Sequence, residues 1–280
     1  MTLKRKIFRT IVRLLERMTL LKRPRKLINM SLEPIQEKNH VDIVVVAFNN
    51  ADIIRYQYEL IRKNIKDNYS YIVADNSTEP SVRAAIEQFC REHEISYISM
   101  PKDYLNYIGT SYSHAAVLNY LCRRVLSKRQ PAITAFIDHD IFPIAQYSIV
   151  HHLVTQNVYG VLRERGAAWY IWPGMAFFRT ESISPASLDF MPTQSDDAIY
   201  MDTGGSIWHN YYRTLERNEL LFPIVEQVAI REGDDYHGDM VQYIDHHAWL
   251  HTINGSCWKR VADGKDHIVK QLLDKYLTKC

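Results

Sequence analysis

The residues best suited to chemistry are two aspartates, Asp138 and Asp140, which flank His139 directly after the apolar segment 132–137. Carboxylate oxygens are the ligands that hard divalent cations prefer. Two carboxylates at positions i and i+2, just beyond a buried strand, can turn toward one ion. Asp is also common in ordinary turns after strands. We predict a Mg²⁺ or Mn²⁺ site here, with a simple turn as the alternative.

Histidines near the end of the chain are the second group of candidate ligands. His246, His247 and His251 lie within six residues, and His247 and His251 have the spacing of one helix face. No cysteine adjoins them, so a contribution to the aspartate-bound cation is favoured over a separate tetrahedral zinc site. A structural role is the alternative for each. His237, in the Gly- and Asp-rich segment 232–239, is a candidate for a mobile loop over the site.

The pattern around these residues predicts an α/β fold with a mostly parallel, Rossmann-like sheet flanked by helices. Apolar segments rich in β-branched residues alternate with segments of helical periodicity. The predicted strands are 41–48, 71–74, 95–98 and 132–137, and the predicted helices are 54–65, 80–89 and 111–126. Ligands of such sheets bind beyond the carboxyl ends of the strands. The site is therefore expected near Asn49, Asp75 and the residues after Ile137.

Three of these segments, in this order, resemble the nucleotide-sugar-dependent glycosyltransferases of the GT-A fold, of the bacterial family 2-like type. VDIVVVAFNN at 41–50 is similar to the family's first nucleotide-contacting strand, IVADNST at 72–78 to its second, and AFIDHD at 135–140 to its Asp-x-Asp motif. The resemblance covers about residues 41–258. It implies a hexosyltransferase-type enzyme in which Mn²⁺ or Mg²⁺, held by Asp138 and above all by Asp140, binds the diphosphate of a UDP-sugar.

The resemblance also implies contacts to the sugar nucleotide and a third metal ligand. The residues matched to the nucleotide site are Ala47, Phe48, Asn49, Asp75, Gly109, Asp138 and His139. Gly109 closes the segment Asn106–Gly109, which is similar to the family's Asn/Gly stretch beside the donor. His251 is matched to a late histidine that joins the metal site in some members.

Two further segments are matched to the sugars and to the catalytic base. Residues 170–178 resemble the strand that borders donor and acceptor sugars, with Trp172 and Gly174 as the contacts and Phe177 and Phe178 as core. Asp202 is matched to the acidic residue that takes the proton from the acceptor hydroxyl. It equally suits the N-cap of a helix predicted over 207–215. The neighbouring Asp196 and Asp197 are reserve candidates for the base and are predicted to be solvated loop residues.

The N-terminal segment differs in charge from the rest of the chain. Residues 1–30 hold ten Lys/Arg and one Glu, which leaves 24 basic and 31 acidic residues elsewhere. Residues 3–21 form an amphipathic pattern, with Ile7, Ile11, Leu14, Leu15 and Met18 on one face and Arg5, Arg9, Arg13 and Arg17 on the other. Such a helix suits an anionic membrane surface, here through residues 1–26. An ordinary docking helix is the alternative.

This organisation predicts three parts: a basic arm with its linker at 1–40, a catalytic domain at 41–260 and a C-terminal helix at 261–280. The acidic body argues against general nucleic-acid binding. The longest apolar run in the body, 43–48, is too short to span a bilayer. Four scattered cysteines without a signal segment favour a reducing compartment. We therefore expect a cytoplasmic enzyme at the inner face of a membrane, which glycosylates a saccharide or lipid-linked saccharide in surface glycan assembly.

Two other classes of protein share these features. A metal-dependent phosphohydrolase would use Asp138, Asp140 and the late histidines as a two-metal site. A non-catalytic module would bind the nucleotide-sugar without turnover.

Overall fold

The fold is built around a seven-stranded sheet. The computed structural model describes residues 3–230, 240–255 and 264–278. Within these residues the sheet has the order β1-β4-β3-β2-β5-β8-β7. Its strands are β1 (Lys26–Ile28), β2 (Val41–Ala47), β3 (Tyr69–Asp75), β4 (Ser96–Ser99), β5 (Ile133–Asp138), β7 (Val158–Arg165) and β8 (Ala168–Arg179).

The centre of this sheet is parallel, as the alternating pattern predicts. Strand β2 pairs in parallel with β3 on one side and β5 on the other, and β4 extends the parallel set beyond β3. The outer strands β1, β8 and β7 are antiparallel to their neighbours. Because β2, β3 and β5 run side by side, their carboxyl ends meet at one edge, where the candidate residues follow.

Helices cover both faces of the sheet. The helices are α1 (Leu3–Leu20), α2 (Ala51–Asn64), α3 (Pro80–Glu92), α4 (Thr110–Leu121), α5 (Ser127–Arg129), α6 (Ile149–His152), α7 (Ile207–Asn210) and α8 (Lys265–Thr278), and a π-helical turn at Cys122–Leu126 joins α4 to α5. Successive residues of a strand face opposite sides. Accordingly, Ile43 and Val45 pack with α2 and α3, and Val44 packs with α4. The predicted inward residues of α4, including Ala115 and Leu118, are buried.

Two smaller sheets complete the described structure. The order β11-β12-β13-β6 joins β11 (Val225–Ala229), β12 (Met240–Ile244), β13 (Trp249–His251) and β6 (Ile141–Pro143), all antiparallel. Strands β9 (Thr193–Gln194) and β10 (Tyr200–Met201) form a short ribbon. Since β6 follows the aspartates directly and pairs with β13, this second sheet brings His251 to the same edge.

The N-terminal segment is packed against the body. Val12, Glu16 and Thr19 of α1 are buried, and α1 lies on α4. Strand β1 pairs with β4 at the edge of the central sheet. A helix that docks through its apolar face buries that face. In α1, by contrast, Ile7 and Ile11 of the apolar face are about half exposed to solvent. In the described part of the chain, no helix is long and apolar enough to cross a membrane.

Two local predictions are wrong. The helix expected over 207–215 is divided into α7 and a 3₁₀ turn at Tyr212–Thr214, since the backbone of Tyr211 leaves the helical region. His247 and His251 do not share a helix face. His251 lies in β13, and His247 lies in the preceding turn, where Asp245, His246 and His247 all adopt positive φ.

Candidate functional site

A cavity of about 200 Å³ lies at the carboxyl edge of the parallel strands. The strand ends β2, β3 and β5 contribute Phe48, Asn76 and the Asp138–Asp140 segment. The start of α4 and the loop after β13 complete the wall. The remaining residues that line the cavity are Val46, Asn106, Thr110, Ser113, His114, Asn254 and Gly255.

Asp138 is the last residue of β5 and faces this cavity. Its side chain is 22 % exposed, and Oδ1 lies 3.5 Å from Nε2 of His114. Burial raises the pKa of Asp138 above its ordinary value, and the nearby charge of Asp140 acts in the same direction, while His114 opposes both. The backbone carbonyl of Asp138 accepts a hydrogen bond from Gln57, which fixes the end of the strand. The carboxylate is therefore only partly exposed to water and lies close to a second negative charge.

Asp140 is held by the loop after β13. Its Oδ2 accepts a hydrogen bond from the Gly255 N–H at 2.8 Å and lies 3.6 Å from Nε2 of His251. Although burial opposes ionisation, the charge and hydrogen bond of His251 and the Gly255 N–H keep the pKa of Asp140 well below its ordinary value. Asp140 is thus an anion in the folded protein.

Gly255 permits this contact because it has no side chain. A Cβ at position 255 would lie 2.4 Å from Cβ of Asp140 and 2.8 Å from Cδ1 of Ile53. Both distances are shorter than real carbon contacts. Glycine is required here for the close approach of its backbone to the side chains of Asp140 and Ile53, not for an unusual φ angle.

His139 lies between the two aspartates and binds the backbone of β2. Its Nδ1 accepts the Phe48 N–H at 3.3 Å, and burial is the main cause that lowers the pKa of His139. An accepting Nδ1 requires the neutral ring with its proton on Nε2. His139 therefore positions the end of β2 relative to β5 and adds no positive charge of its own to the cavity.

The two carboxylates fit a hard divalent cation, with one condition. Mg²⁺ and Mn²⁺ prefer oxygen ligands, and the two carboxylates supply them on one cavity wall. A cation between the carboxylates would also relieve their mutual repulsion. In the described ranges, however, no three His, Cys, Asp or Glu side chains are grouped closely enough to hold a metal ion. A cation here would need further oxygens from a ligand or from water.

The residues predicted to contact a nucleotide are close to the cavity but differ in orientation. Asp75 is completely buried, and its two oxygens accept hydrogen bonds from the Ser77 N–H and the Tyr97 hydroxyl. The next residue, Asn76, lines the cavity, and its backbone N–H donates to the carbonyl of Ala47. Asp75 thus supports the end of β3, and Asn76 is the side chain that β3 presents to the cavity.

Asn49 joins the loops that follow β2 and β3. Its Oδ1 accepts from the backbone N–H groups of Thr78 and Glu79, and its own N–H donates to Ser77 Oγ. Its positive φ of 49° is a conformation that Asn tolerates well. Asn49 therefore fixes the rim of the cavity, and Phe48 lines the interior.

Gly109 precedes α4, whose first turn forms one wall of the cavity. Thr110, Ser113 and His114 from this turn line it, together with Asn106 from the segment before. Ser113 donates a hydrogen bond to Asp103 and accepts one from Asn76. The sequence predictions missed His114 and Ser113. Their position within one turn of Gly109 was the available signal.

Trp172 and Gly174 lie beyond His251, on β8. The ring of His251 lies 5.2 Å from the Trp172 ring, and the Arg163 guanidinium lies 5.1 Å from the same ring. A Cβ at Gly174 would lie 2.2 Å from the Trp172 ring. Gly174 thus makes room for Trp172. The predicted core residues Phe177 and Phe178 are buried.

Asp202 follows β10 and is not an N-cap, because α7 begins five residues later with Ser206 at its cap position. Its Oδ1 accepts from the Thr203 N–H at 2.8 Å and from the Tyr200 hydroxyl at 3.4 Å. Among the described residues, Oδ2 has no hydrogen bond. Asp202 does not line the Asp138–Asp140 cavity. Burial lowers the pKa of the Arg163 guanidinium, and the nearby charge of Asp202 raises it.

The other candidate residues lie away from the cavity. Asp196 and Asp197 are exposed, as predicted. His247 is paired with Glu226 at 2.7 Å and stacks on Tyr243. His246 is exposed in the same turn. The candidate loop residue His237 lies outside the described residues.

The sequence matches no family model and no curated protein. Among solved structures, it is similar to the mannosyltransferase PcManGT from Pyrobaculum calidifontis in complex with GDP-Man and Mn²⁺, with 15 % identity over 62 % of this chain and a TM-score of 0.41. It is also similar to the WbbM bifunctional glycosyltransferase, with 16 % identity over 57 % of this chain and a TM-score of 0.37. The match spans 52 % and 35 % of those two chains. Both neighbours are glycosyltransferases, but at these scores we infer the activity of this chain from its site.

Proposed function

We propose that this protein is a divalent-cation-dependent glycosyltransferase of the GT-A type, which transfers a sugar from a nucleotide-sugar, with UDP-sugars as the first candidates, to a hydroxyl group of a glycan acceptor. One observation carries the proposal. Asp138 and Asp140 face a cavity at the carboxyl edge of the parallel strands, beside the first turn of α4. This places two hard anionic ligands next to a helix N-terminus, which is an arrangement suited to a diphosphate.

The diphosphate is proposed to lie between the aspartates and α4. The unpaired N–H groups at the start of a helix bind phosphate oxygens. Asn106, Thr110 and His114 add side-chain donors on the same wall. A cation held by Asp138 and Asp140 would neutralise the charge that develops on the leaving diphosphate. The nucleoside is proposed to extend past Phe48 and Asn76 toward Asn49, with Asp75 supporting the strand from behind.

Asp202 is proposed as the base that takes the proton of the acceptor hydroxyl. Its Oδ2, which has no hydrogen bond to any described residue, is the atom available for this role. A series of neighbours joins the two parts of the site: His251 lies beside Asp140, Trp172 packs on His251, and Arg163 lies against Trp172. Arg163 in turn is close enough to Asp202 for their charges to interact. Trp172 is therefore well placed to border the transferred sugar, as aromatic faces do.

Titration of UDP with Mn²⁺ tests this division of roles. Asp140→Asn should abolish Mn²⁺-dependent binding of UDP. Asp202→Asn should leave the affinity within about twofold of wild type and lower kcat by about 10²–10⁴-fold, the usual contribution of a general base. Asp197→Asn, an exposed carboxylate on the same segment, is the matched control and should change neither.

Three outcomes would contradict the proposal. Equal loss of UDP affinity in the Asp140 and Asp202 variants would refute the separate roles. Phosphate release without an acceptor would indicate a phosphohydrolase instead. Tight binding of nucleotide-sugars without transfer to any acceptor would indicate a non-catalytic module.

We further propose that the enzyme works at the inner, cytoplasmic face of an anionic membrane. The exposed residues of α1 and the turn after it recur at helical spacing: Leu3, Ile7, Ile11, Leu14, Met18 and Leu21, between 41 % and 77 % exposed. We call this row the apolar stripe. Basic residues of the same helix flank it, as in helices that lie in a membrane interface. The unpaired, buried Cys90 and Cys122 agree with a reducing compartment.

A further inference from the structure

A second and larger cavity, of about 700 Å³, lies between α1 and the segment 191–200. We call it the α1 cavity. On the helix side its wall is formed by Arg5, Phe8, Arg9, Thr10, Val12, Arg13, Leu14 and Arg17. On the other side it is formed by Tyr112 of α4, residues 191–194 and Tyr200. Nothing in the proposed roles of the Asp138–Asp140 cavity uses this space.

The arginines of the α1 cavity are of two kinds. Arg13 is neutralised, since its guanidinium donates two hydrogen bonds to Asp189 and one to Glu16. In the described part of the chain, no carboxylate lies within ion-pair distance of Arg5, Arg9 or Arg17. Arg9 has one weak contact, with Thr193 Oγ1 at 3.4 Å. Three guanidinium groups on one wall are thus left to bind an anion, and guanidinium groups prefer phosphate and carboxylate oxygens.

The α1 cavity borders the apolar stripe on its outer side. Leu14 belongs to both, because it lines the cavity and is 59 % exposed. An occupant with an anionic group among the arginines could therefore continue as a hydrocarbon chain along the stripe without passing through polar surroundings. Charge on one side and apolar surface on the other fit an amphiphile better than a free anion.

The inner end of the α1 cavity approaches the proposed catalytic base. Tyr200 lines the cavity, and its hydroxyl lies 3.4 Å from Oδ1 of Asp202. Tyr112 also lines the cavity: burial raises the pKa of its hydroxyl, and the charge of Arg9 lowers it while that of Asp202 raises it. Arg9 and Asp202 are therefore neighbours of the same side chain.

We propose that the α1 cavity binds the phosphate group of a membrane lipid, and that this lipid carries the acceptor. The phosphate lies beside Arg9 with Arg5 one helical turn away, and Arg17 adds positive charge about 12 Å further along the helix. The hydrocarbon chain follows the apolar stripe into the membrane, and the attached acceptor group reaches past Tyr200 to Asp202. The statement that this lipid carries the sugar acceptor rests on the proposed glycosyltransferase activity. The lipid-phosphate site stands on the geometry of α1 and is tested by binding alone.

The probe is dioctanoyl phosphatidate below its micelle concentration, titrated in EDTA so that the Asp138–Asp140 site takes no part. Inorganic phosphate supplies the head without the chains, and dioctanoylglycerol supplies the chains without the phosphate. Wild type should bind phosphatidate at least ~10-fold more tightly than either, because charge-assisted contacts and apolar burial add only in the complete probe.

Arg9→Glu should weaken phosphatidate binding at least ~10-fold, and Arg9→Lys should retain most of it as a point charge. Lys4→Glu is the matched control, because Lys4 is exposed on the same helix and is not part of the cavity wall. It makes the same change in net charge and should shift the affinity by less than ~2-fold. Since both positions are exposed, neither variant removes a buried contact.

The proposal is overturned if Arg9→Glu and Lys4→Glu weaken binding equally, since general charge would then explain the attraction. Inorganic phosphate binding as tightly as phosphatidate would indicate a free-phosphate site. Dioctanoylglycerol binding as tightly would indicate an apolar groove. The UDP and Mn²⁺ titration of the same variants is independent, so loss of the catalytic proposal and loss of the lipid site give different results.

Discussion

At the scale of single residues, Asp138 and Asp140 have the same side chain and opposite surroundings. Burial and, to a lesser extent, the charge of Asp140 raise the pKa of Asp138, whereas Asp140 is stabilised as an anion by His251 and the Gly255 N–H. Two neighbouring carboxylates are thereby separated in their affinity for protons. The difference depends on the end of β13 and the loop after it, since His251 ends the strand and Gly255 lies in the loop.

This difference predicts opposite effects of two isosteric variants on stability. A carboxyl with a raised pKa destabilises the fold once the pH exceeds its ordinary value of 3.8, and one with a lowered pKa stabilises it over the same range. In EDTA at neutral pH, Asp138→Asn should therefore increase the free energy of unfolding, and Asp140→Asn should decrease it. Urea denaturation measures both.

The pH dependence provides the control for this prediction. The advantage of Asp138→Asn should disappear as the pH falls below 3.8, because the wild-type carboxyl is then neutral in both states. Asp197→Asn, at an exposed position, should stay within about 0.5 kcal/mol of wild type throughout. Stabilisation by the Asp140 variant, or no gain from the Asp138 variant, would contradict the assignment.

At the scale of elements, α1 is held by a buried polar network and not by its most apolar face. Glu16 is 2 % exposed and accepts hydrogen bonds from Asn119 at 2.6 Å, Arg13 at 2.9 Å and Arg123 at 3.3 Å. Asp189 binds Arg13 and Asn119 in turn. This network fixes the rotation of α1, so the apolar stripe remains outside and the arginines face the α1 cavity.

Removal of the central carboxylate should release α1. Glu16→Ala removes one acceptor from Arg13 and from Asn119, both of which keep their hydrogen bonds to Asp189, and should lower the free energy of unfolding by about 1–3 kcal/mol. Amide hydrogen exchange in α1 should accelerate more than in α2. Glu59→Ala, which removes a partly exposed ion pair with Arg62, is the control and should change stability by less than about 1 kcal/mol. Unchanged exchange in α1 would show that the network does not hold the helix.

At the scale of the whole molecule, charge and apolar surface are concentrated on the same side. Residues 1–30 carry ten basic side chains and one acidic, against an acidic body. The apolar stripe lies within this basic segment. A membrane with anionic lipids would orient the molecule through this side, and the α1 cavity would then open toward the lipid.

Vesicle flotation tests this orientation. Ile7→Ser combined with Ile11→Ser should reduce binding to phosphatidylglycerol-containing vesicles, because half-exposed apolar side chains are lost from the stripe. Val154→Ser combined with Leu221→Ser removes exposed apolar side chains elsewhere and should have no effect. Binding should also weaken as ionic strength rises from about 0.1 M to about 1 M, where the Debye length falls from ~10 Å to ~3 Å. Equal flotation of both double variants would exclude the stripe as the contact.

The amino-acid sequence by itself determined the alternating elements and the edge at which the aspartates lie. Local periodicity is sufficient for this, since a β-branched run such as 41–47 and a helix such as Ala51–Asn64 each express their own pattern. It also determined that α1 is amphipathic. It could not determine which face of α1 is buried, because the choice depends on Glu16 meeting Asn119, two residues 103 positions apart.

Tertiary structure alone decided the partners of the site. His251 reaches Asp140 because β13 pairs with β6. The helical spacing of His247 and His251 in the sequence could not predict that pairing. Asp75 faces inward because Tyr97 on the neighbouring strand binds it. His114, Arg163 and the α1 cavity likewise arise where distant segments meet. The periodicity of a segment indicates which of its residues are buried. A functional site depends instead on which distant segments become neighbours, and the packing of the whole chain decides this.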